Sequence, residues 1–364
     1  MTRFWVGGYG PDMGGDAEGV GYLAVDEGRG ASTLAYRGVA GAATSPSWLA
    51  QHPTLDVVYA ALEGEGAVQA FARSGEQSLR PLAPPLAAGA SVCHLTVSPD
   101  GRMLVASCYG DGRVVRFGIA GDGRLQPAAP DKAAALHAAL FGEADAETDA
   151  AGAHPAADPY PTPAGEEPRA SHAHAAVFLP DGRIATTDLG FDLVRIWRRD
   201  LTPDHEVVLA RGTGPRHMVM HPSGHLHVVT EYSCEVFTLA SARDGSWSVV
   251  SATTASPVAQ VGVDTCAELA VSRDGHTLYT ALRGGNTISA LRVRGSGEAT
   301  EPLALADSGV DWPRHHLVHE GVLLVAGQRS NTVAALDLDE RTGVPRDVRH
   351  VTAAPAPTAI LRAR

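Results

Sequence analysis

Residues 98–117 read SPDGRMLVASCYGDGRVVRF, and this stretch contains the pattern that decides the fold. It begins with a Ser-Pro-Asp-Gly turn, in which proline restricts φ, aspartate bonds the nearby backbone and glycine takes a positive φ. A short apolar strand follows at 103–107, and another follows a glycine turn at 113–117. Short strands separated by tight turns predict antiparallel β-structure.

Similar turns recur along the chain, and most are followed by a short β-rich strand. They lie at 52–56, 98–101, 180–182, 221–224, 273–275 and 319–321. The intervals between them are 46, 81, 42, 51 and 46 residues. The long interval holds an excess of about 35 residues. Without this excess about 329 residues of the chain remain, or about 47 for each of seven units, which is close to the period of a β-propeller blade. The sequence therefore predicts an all-β, seven-bladed β-propeller, formed as a single domain over residues 1–364.

The last blade is expected to combine strands from both ends of the chain. Residues 4–8 would supply strands at the start and residues 357–362 one at the finish, which closes the ring and removes exposed sheet edges. The excess residues form an insertion at about 127–168, rich in Ala, Asp, Glu and Pro. Within it we expect a short helix over 131–141 and a loop over 150–168. Such an insertion is either a lid over a site or a disordered or structural segment.

Charge and composition exclude several classes of function. The chain has 41 acidic and 29 basic residues, a formal net charge of −12, which argues against an extended nucleic-acid surface. Lys132 is its single lysine, so a Schiff-base lysine or a P-loop is not expected, and any anion site must use arginine. No run of about 18 apolar residues predicts a membrane span, and the first residues form no apolar signal core, so we expect a cytoplasmic protein.

Cysteine spacing and short motifs exclude further chemistry. The cysteines form no CxxC pair and no zinc-ribbon spacing; they are Cys93, Cys108, Cys234 and Cys266. A disulfide framework or a structural zinc is therefore not expected. No GxSxG motif is present, which disfavours a serine-hydrolase mechanism. We expect neither a resident cofactor nor a metal.

Polar residues at corresponding positions of different blades form the candidate site. In a propeller the first strand of each blade lines the central channel, so these residues converge although they lie far apart in sequence. The lead-in strands carry His94, His172, His174, His217, Glu268, Arg314 and His315. The second strands end near Glu63, Asp188, Glu231, Arg283 and Gln328. The pattern predicts one face rich in histidine, arginine and carboxylates, which suits a small anionic substrate. The residues expected to bind the substrate there are His94, His217, Arg314, Asp188 and Gln328.

His172 and His174 are the candidate acid–base residues. They alternate in a predicted strand, so both side chains are expected on the same side. Histidine titrates near neutral pH and can act as a general base or acid. The alternatives are that the pair caps blade hydrogen bonds, or that it binds a metal together with His94 or His217.

Arg216 and Arg283 are the candidate anion clamp. Arg216 follows a Gly-Pro turn that would direct its side chain inward. Two guanidinium forks can hold an anion while Glu231 orients a base or activates water. The alternative is an architectural ion pair between Arg216 and Glu231. Arg314 is a third candidate clamp, and Asp188 either contacts substrate or bonds backbone amides.

The chain resembles the lactonase family of seven-bladed propellers, which includes bacterial 6-phosphogluconolactonases and fungal carboxymuconate-lactonising enzymes. The resemblance runs nearly end to end outside 127–165. Nine short motifs in family order carry it: ValGlyGlyTyr 6–9, SerProSerTrpLeu 45–49, ValCysHisLeu 92–95, SerHisAlaHis 171–174, AspLeuGlyPheAsp 188–192, GlyProArgHis 214–217, ThrGluTyrSer 230–233, LeuArgGly 282–284 and ProArgHis 313–315.

The resemblance implies roles for individual residues. Arg216 and Arg283 match arginines that grip substrate carboxylates in the muconate-lactonising members, Glu231 matches an acidic partner, and a histidine of 171–174 matches the proposed catalytic one. The chain departs from the family where second strands often end in Asn, since it has Cys108, Thr230, Leu282 and Gly327 there.

The expected function is that of a lactonase, an enzyme that hydrolyses or forms a lactone on a small anionic substrate, similar to 6-phosphogluconolactonase. One alternative is a muconate-type cycloisomerase or an enzyme of specialised metabolism that uses the same site. The other is a propeller that binds a ligand or a protein without turnover, because fold alone does not determine function.

Overall fold

The computed structural model of the protein describes residues 2–28, 31–127, 152–153, 157–163 and 165–364. Seven antiparallel sheets form the blades, and the innermost strands of successive blades contact one another in a closed ring. The predicted all-β, seven-bladed propeller is confirmed.

Blade 1 is built from both ends of the chain. From the channel outward its strands are β30 (Pro357–Arg362), β1 (Arg3–Gly8), β2 (Gly19–Gly28) and β3 (Ala31–Ala42). Strand β30 pairs antiparallel with β1. The expected closure is therefore confirmed, and the strand from the end of the sequence is the innermost one.

The next three blades follow chain order from the channel outward. Blade 2 has β4 (Pro46–Gln51), β5 (Val57–Leu62), β6 (Ala67–Arg73) and β7 (Leu79–Pro81), and β6 also pairs with β8 (Leu86–Ala87). Blade 3 has β9 (Val92–Val97), β10 (Met103–Cys108), β11 (Val114–Ile119) and β12 (Leu125–Pro127), and β11 also pairs with β13 (Gly152–Ala153). Blade 4 has β14 (Ala173–Phe178), β15 (Ile184–Asp188), β16 (Leu193–Trp197) and β17 (Pro203–Val208).

The last three blades repeat this order. Blade 5 has β18 (Pro215–Met220), β19 (Leu226–Thr230), β20 (Glu235–Ser241) and β21 (Trp247–Thr254). Blade 6 has β22 (Cys266–Val271), β23 (Thr277–Leu282), β24 (Thr287–Arg294) and β25 (Ala299–Asp307). Blade 7 has β26 (Pro313–His319), β27 (Val322–Gly327), β28 (Thr332–Leu338) and β29 (Pro345–Ala353). The described ranges contain one 3-10 turn, Pro11–Met13, and no helix in them is long and apolar enough to cross a membrane.

The hydrophobic core lies between the blades. All residues of the second strands β5, β10 and β23 are buried, because both faces of these strands pack against neighbouring blades. The outer strands β25 and β29 alternate between more and less exposed positions along most of their length. Apolar β-rich second strands and amphipathic outer strands thus determine where the sheets stack.

The expected insertion joins β12 to β14. The helix predicted at 131–141 lies outside the described residues, as does part of the predicted loop at 150–168. Arg169, just before β14, forms ion pairs with Asp158 and with the buried Asp192. These pairs attach the described end of the insertion to blade 4.

One irregularity at the start of the innermost strands positions the site. In all seven, the pairing with the second strand shifts register near the second residue, as between Pro215 and His217. In five blades the preceding residue has a positive φ: Ser45, Ser91, Gly214, Trp312 and Ala356. A bulge breaks the strict alternation of side chains, so two successive side chains can face the channel.

Candidate active site

Three rings, each with one residue from every blade, surround the channel where the innermost strands begin. The mouth ring is the second residue of each innermost strand: Ser47, Cys93, His174, Arg216, Ala267, Arg314 and Thr358. The staple ring is the third residue: Trp48, His94, Ala175, His217, Glu268, His315 and Ala359. The post-strand ring is the residue after each second strand: Tyr9, Glu63, Tyr109, Leu189, Glu231, Arg283 and Gln328.

One backbone hydrogen bond places the post-strand ring in every blade. The amide of each member donates to the carbonyl of the residue just before the innermost strand. Examples are Glu63 to Ser45 (3.2 Å) and Glu231 to Gly214 (2.7 Å). The bond ties the end of the second strand to the start of the first, so the seven residues lie at the same level of the channel.

Four residues of the mouth ring and four of the post-strand ring line a cavity of about 190 Å³. They are Cys93, His174, Arg216, Arg314, Glu63, Tyr109, Glu231 and Arg283. Three arginines thus accompany two glutamates, although the whole chain has a net charge of −12. A local positive field in a low-dielectric cleft concentrates anions.

Glu231 holds two of the arginines. Its Oε2 lies 2.8 Å from Nε of Arg216 and 2.8 Å from Nη2 of Arg283. Burial alone raises the pKa of Glu231, but the charges of Arg283 and Arg216 outweigh it, and the pKa lies below the ordinary value. Burial and the neighbouring Arg283 lower the pKa of Arg216 to about 10. Glu231 and Arg216 are therefore ionised at neutral pH, and one carboxylate shared by two arginines leaves an excess positive charge.

His174 is the cavity residue suited to proton transfer. Its side chain is buried, and its Nδ1 has no hydrogen-bond partner within the described ranges. Burial, followed by the charges of Arg216 and Arg314, holds its pKa well below the ordinary value. The imidazole is neutral at neutral pH and has a nitrogen that can accept a proton.

The opposite wall of the cavity is built around Arg314. Its guanidinium lies 5.0 Å from the centre of the Tyr9 ring, and its Nη1 donates to Oε1 of Gln328 (3.3 Å). The Tyr9 hydroxyl donates to Oε1 of Glu63 (3.3 Å), while Oε2 of Glu63 is buried without a partner in the described part of the chain. Gln328 therefore positions Arg314 instead of lining the cavity, and Glu63 offers an acceptor oxygen to a ligand.

His172 has a different environment from His174. It precedes β14, stacks on Tyr109 with ring centroids 4.3 Å apart, and its Nδ1 lies 2.7 Å from the Tyr109 carbonyl oxygen. It does not line the cavity. The structure thus separates the two histidines that alternation places on one side, and His172 supports the cavity wall through Tyr109.

Asp188, which the repeat predicts at the substrate site, is not among the residues that line the cavity. Its carboxylate accepts hydrogen bonds from the Ser171 hydroxyl and from the amides of His172 (2.9 Å) and Phe191 (3.0 Å). It also pairs with Arg195 at 2.8 Å. The post-strand position of this blade belongs to Leu189, one residue later, which is why the predicted position was out of register.

His94 and His217, also expected to bind substrate, belong to the staple ring. In five blades a side chain of this ring bonds the backbone of the fourth residue of the next innermost strand. The bonds are Trp48 Nε1 to Leu95 O (3.1 Å), Ala176 N to His94 Nδ1 (3.3 Å), Leu269 N to His217 Nδ1 (3.3 Å), His316 N to Glu268 Oε2 (2.8 Å) and Ile360 N to His315 Nδ1 (3.3 Å). These residues link neighbouring blades and lie one position deeper than the cavity.

The staple ring is neutral at neutral pH. Burial lowers the pKa of His217 to about 3 and keeps the pKa values of His94 and His315 well below the ordinary value. Burial raises the pKa of Glu268 to about 8. Nδ1 of His94 and Nδ1 of His315 each accept a hydrogen bond from a backbone amide, while Nδ1 of His217 lies 3.3 Å from the Leu269 amide nitrogen and 3.2 Å from the Leu269 carbonyl oxygen. No group of three His, Cys, Asp or Glu side chains in the described residues could hold a metal ion.

Two residues that line the cavity had no assigned role in the sequence. Tyr109 follows β10 in the same register as Glu231 and Arg283, and this register is the signal that could have identified it. Cys93 occupies the mouth ring, and burial raises the pKa of its thiol to about 12. The thiol stays protonated at neutral pH and is not an activated nucleophile.

Comparison with known proteins identifies the family. A model of the family described as "Lactonase, 7-bladed beta-propeller" matches residues 3–362. The chain belongs to this lactonase family. The resemblance carried by the nine motifs is therefore confirmed.

The relatives of this lactonase-family chain include a 6-phosphogluconolactonase and uncharacterised proteins. The 6-phosphogluconolactonase of Bacillus subtilis is 29% identical over 181 residues, which are 47% of this chain and 52% of that protein. An uncharacterised protein of Lactococcus lactis subsp. lactis is 27% identical over 187 residues, 49% of this chain and 54% of that protein. The chain spans about half the length of the curated relatives it matches.

Solved structures of similar fold cover the whole chain. A protein from Lactobacillus plantarum has a TM-score of 0.83 at 21% identity, with 100% of both chains covered. The periplasmic gluconolactonase PpgL of Pseudomonas aeruginosa has a TM-score of 0.82 at 20% identity, with 100% of this chain and 99% of that chain covered. At these identities the likeness shows the fold of the lactonase-family propeller.

Proposed function

We propose that this protein is a lactone hydrolase, a carboxylic ester hydrolase that opens a small lactone bearing a carboxylate or a phosphate, similar to 6-phosphogluconolactonase. The observation that carries the proposal is the cavity of about 190 Å³ in which Arg216, Arg283 and Arg314 accompany His174. Membership of the lactonase family supports the class of reaction.

The three arginines would bind the anionic group and polarise the lactone carbonyl. Arg216 contacts Glu231 through Nε, so its terminal nitrogens can reach a ligand. Arg283 contacts the same carboxylate oxygen from the other side, which holds both guanidinium groups in place before the substrate arrives. Preorganised charges of this kind stabilise the oxyanion that develops on the carbonyl oxygen.

His174 would act as the general base and then as the general acid. It accepts a proton from water as the water oxygen bonds to the carbonyl carbon and a tetrahedral oxyanion forms. When the ring C–O bond breaks, the protonated His174 returns the proton to the leaving alkoxide. The product is the hydroxy acid, and the enzyme is regenerated without a covalent intermediate.

Binding of the anion would adjust the basicity of His174. Burial and the charges of Arg216 and Arg314 make this histidine a weak base. A bound carboxylate or phosphate offsets the arginine charges, and a nearby negative charge raises the pKa of a histidine. The base therefore becomes effective when the substrate is present.

The test is an assay of acid release from a panel of lactones with and without an anionic group, with an unsaturated diacid included for the lactonising direction. We expect hydrolysis of anionic lactones and a fall in kcat/KM of about 10²–10⁴ in His174→Ala, the usual contribution of a general acid–base group. His276→Ala changes an exposed histidine and serves as the control. Binding without acid release would contradict the proposal, as would full activity of His174→Ala.

We include a cytoplasmic location in the proposal. All four cysteines are buried free thiols, which suits a reducing compartment. The Pseudomonas aeruginosa neighbour is described as periplasmic, so the two locations are the alternatives. Fractionation of the native host, with detection of this chain, distinguishes them.

A further inference from the structure

The three most exposed large apolar side chains in the described ranges lie on one loop. Val258, Val261 and Val263 are 62%, 72% and 62% exposed, whereas the next most exposed, Val250, is at 48%. The loop joins β21 to β22, the innermost strand of blade 6. Single exposed apolar residues are normal on a protein surface, but a group of them beside a cavity marks a place of interaction.

This valine loop, residues 255–265, contacts the chain segment next to Arg283, one of the three arginines that line the cavity of about 190 Å³, called here the arginine cavity. Its last residues contact the backbone that carries Arg283: Oδ1 of Asp264 accepts a hydrogen bond from Gly285 N at 2.6 Å. A Cβ atom on Gly284 would lie only 2.3 Å from the Val263 carbonyl oxygen, so the two segments are in direct contact. Thr265, the last residue of the loop, accepts the amide hydrogen bond of Arg283 (3.0 Å).

Internal hydrogen bonds hold the loop in shape. Oδ2 of Asp264 accepts from Gln260 N (2.8 Å), and the carbonyl of Gln260 accepts from the amides of Val263 (3.0 Å) and Asp264 (2.7 Å). These hydrogen bonds hold the loop in the conformation that exposes the valines. A surface that is already ordered loses little entropy when it binds a ligand.

Two aromatic side chains also lie next to residues of the cavity. Trp312 lies 5.4 Å from the guanidinium of Arg283, and the guanidinium of Arg329 lies 3.4 Å from the Trp312 ring. Tyr232, next to Glu231, is 40% exposed. We define the apolar rim as Tyr232, Val258, Val261, Val263 and Trp312.

We propose that the substrate carries an apolar substituent, an alkyl or aryl group, that lies on the apolar rim while its anionic lactone head occupies the arginine cavity. This inference rests on the proposed function. The cavity of about 190 Å³ is smaller than the usual 300–1,000 Å³ of a pocket that encloses a whole drug-sized ligand, so it suits the head alone. Val263 contacts the segment just after Arg283, and Trp312 lies beside the Arg283 guanidinium, so the rim and the cavity share Arg283 as a neighbour.

The experiment measures, by titration calorimetry, how the Kd of straight-chain carboxylates from acetate to octanoate depends on chain length. Full burial of a methylene group strengthens binding about fourfold, and contact on one side about twofold. We expect Kd to fall about twofold for each methylene group in the unmodified protein. A Kd independent of chain length overturns the inference.

Two sets of variants locate the effect. In Val258→Ser/Val261→Ser/Val263→Ser the Kd of acetate is expected to stay the same while the dependence on chain length disappears. Val249→Ser/Val250→Ser, which changes exposed valines on the outer strand β21, is the matched control and is expected to keep that dependence. If the triple variant also keeps it, the rim is not the binding surface.

Arg216→Ala separates this inference from the proposed function. It is expected to weaken binding of all the acids by the same factor, because it removes part of the anion clamp and leaves the rim intact. A chain-length dependence without hydrolysis of any lactone contradicts the proposed reaction and supports the rim. Hydrolysis of a lactone with no dependence of Kd on chain length supports the proposed reaction and contradicts the rim. Failure of every acid to bind contradicts both the proposed reaction and the rim.

Discussion

The mouth ring and the staple ring lie one residue apart on the same seven strands, yet their chemistry is opposite. The mouth ring brings Arg216, Arg314 and His174 to an open cavity. The staple ring places Trp48 and three histidines against the backbone of the next blade. The difference teaches that a histidine in a propeller channel is identified by its hydrogen-bond partner and not by its residue type.

The staple ring meets a requirement of the fold. An innermost strand is the edge of its blade, so its inward amides and carbonyls lack partners within the sheet. The staple ring satisfies one such group in five blades. Where it holds Ala175 and Ala359, the hydroxyls of Thr187 and Thr358 donate instead to the carbonyls of Arg216 (2.8 Å) and Ser47 (2.9 Å) of the next blade. The staple-ring histidines use Nδ1 for contacts with the backbone, whereas Nδ1 of His174 lacks a partner in the described chain, and His174 is the histidine that the proposed reaction uses.

The largest expected effect comes from changing the mouth ring. Arg216→Ala removes one preorganised charge from the cavity, and loss of such a group typically lowers turnover by about 10²–10³. Glu231 keeps Arg283 as a partner, so the free energy of unfolding is expected to change little. The measurements are kcat/KM on the best lactone of the panel and urea unfolding.

The exposed Arg346→Ala serves as the control for the cavity variant. Unfolding of Arg216→Ala at much lower urea would show that Arg216 has the architectural role of a buried ion pair, and the two rings would then not differ in function.

A change in the staple ring is expected to have a smaller effect, and to lower the stability of the protein instead of its activity. The Trp48 ring lies 4.4 Å from His94, 5.5 Å from His217 and 5.2 Å from His315, centroid to centroid. Trp48→Ala should lower the free energy of unfolding by about 2–3 kcal/mol, less than for a fully buried tryptophan because Trp48 is partly exposed. Urea unfolding measures the loss, and kcat/KM should change by less than about threefold.

Trp48→Phe keeps an aromatic ring at this position and is the matched comparison. If Trp48→Ala removed activity without loss of stability, Trp48 would belong to the site and the separation of the rings would fail.

The smallest effect concerns pH. His217 has a folded pKa of about 3 against an ordinary value of 6.5, so the folded state favours the neutral form. Its stabilising contribution is complete above about pH 6.5 and is lost as the pH falls toward about 3. Replacing it with a side chain that can hydrogen-bond to the Leu269 backbone without titrating, His217→Gln, should reduce the loss of unfolding free energy between pH 7 and pH 5 by about 2 kcal/mol.

Urea unfolding at both pH values measures this difference, and the exposed His276→Gln is the control. An unchanged pH dependence in His217→Gln would show that His217 is not bound as a neutral acceptor.

Much of the site could be predicted from the repeat. Glu63, Glu231, Arg283 and Gln328 occupy the post-strand ring as their positions in the repeat indicated. Asp188 was out of register by one residue, because β15 extends to Asp188 and Leu189 takes the ring position. Tyr109 has the same register but was missed, since an aromatic residue next to a glycine turn has no distinctive chemistry in sequence.

The division between the mouth and staple rings could not be predicted. Strict alternation predicts that neighbouring residues face opposite sides and that His172 and His174 face the same side. The register shift at the start of each innermost strand breaks that rule, and its effect depends on the pairing with the second strand. His94 and His217, which the repeat predicts at the substrate site, therefore lie against the backbone of the next blade.

The sequence by itself determined the seven blades, the closure by the two ends of the chain and the reliance on arginine, because turn chemistry, apolar patterning and composition are local properties. Only the tertiary structure decided which polar side chains meet a ligand and which meet a backbone amide. Those partners come from the neighbouring blade, more than 40 residues away, as His94 and Ala176 show. The charge and free hydrogen-bonding capacity of the cavity therefore arise only when the ring of blades is closed.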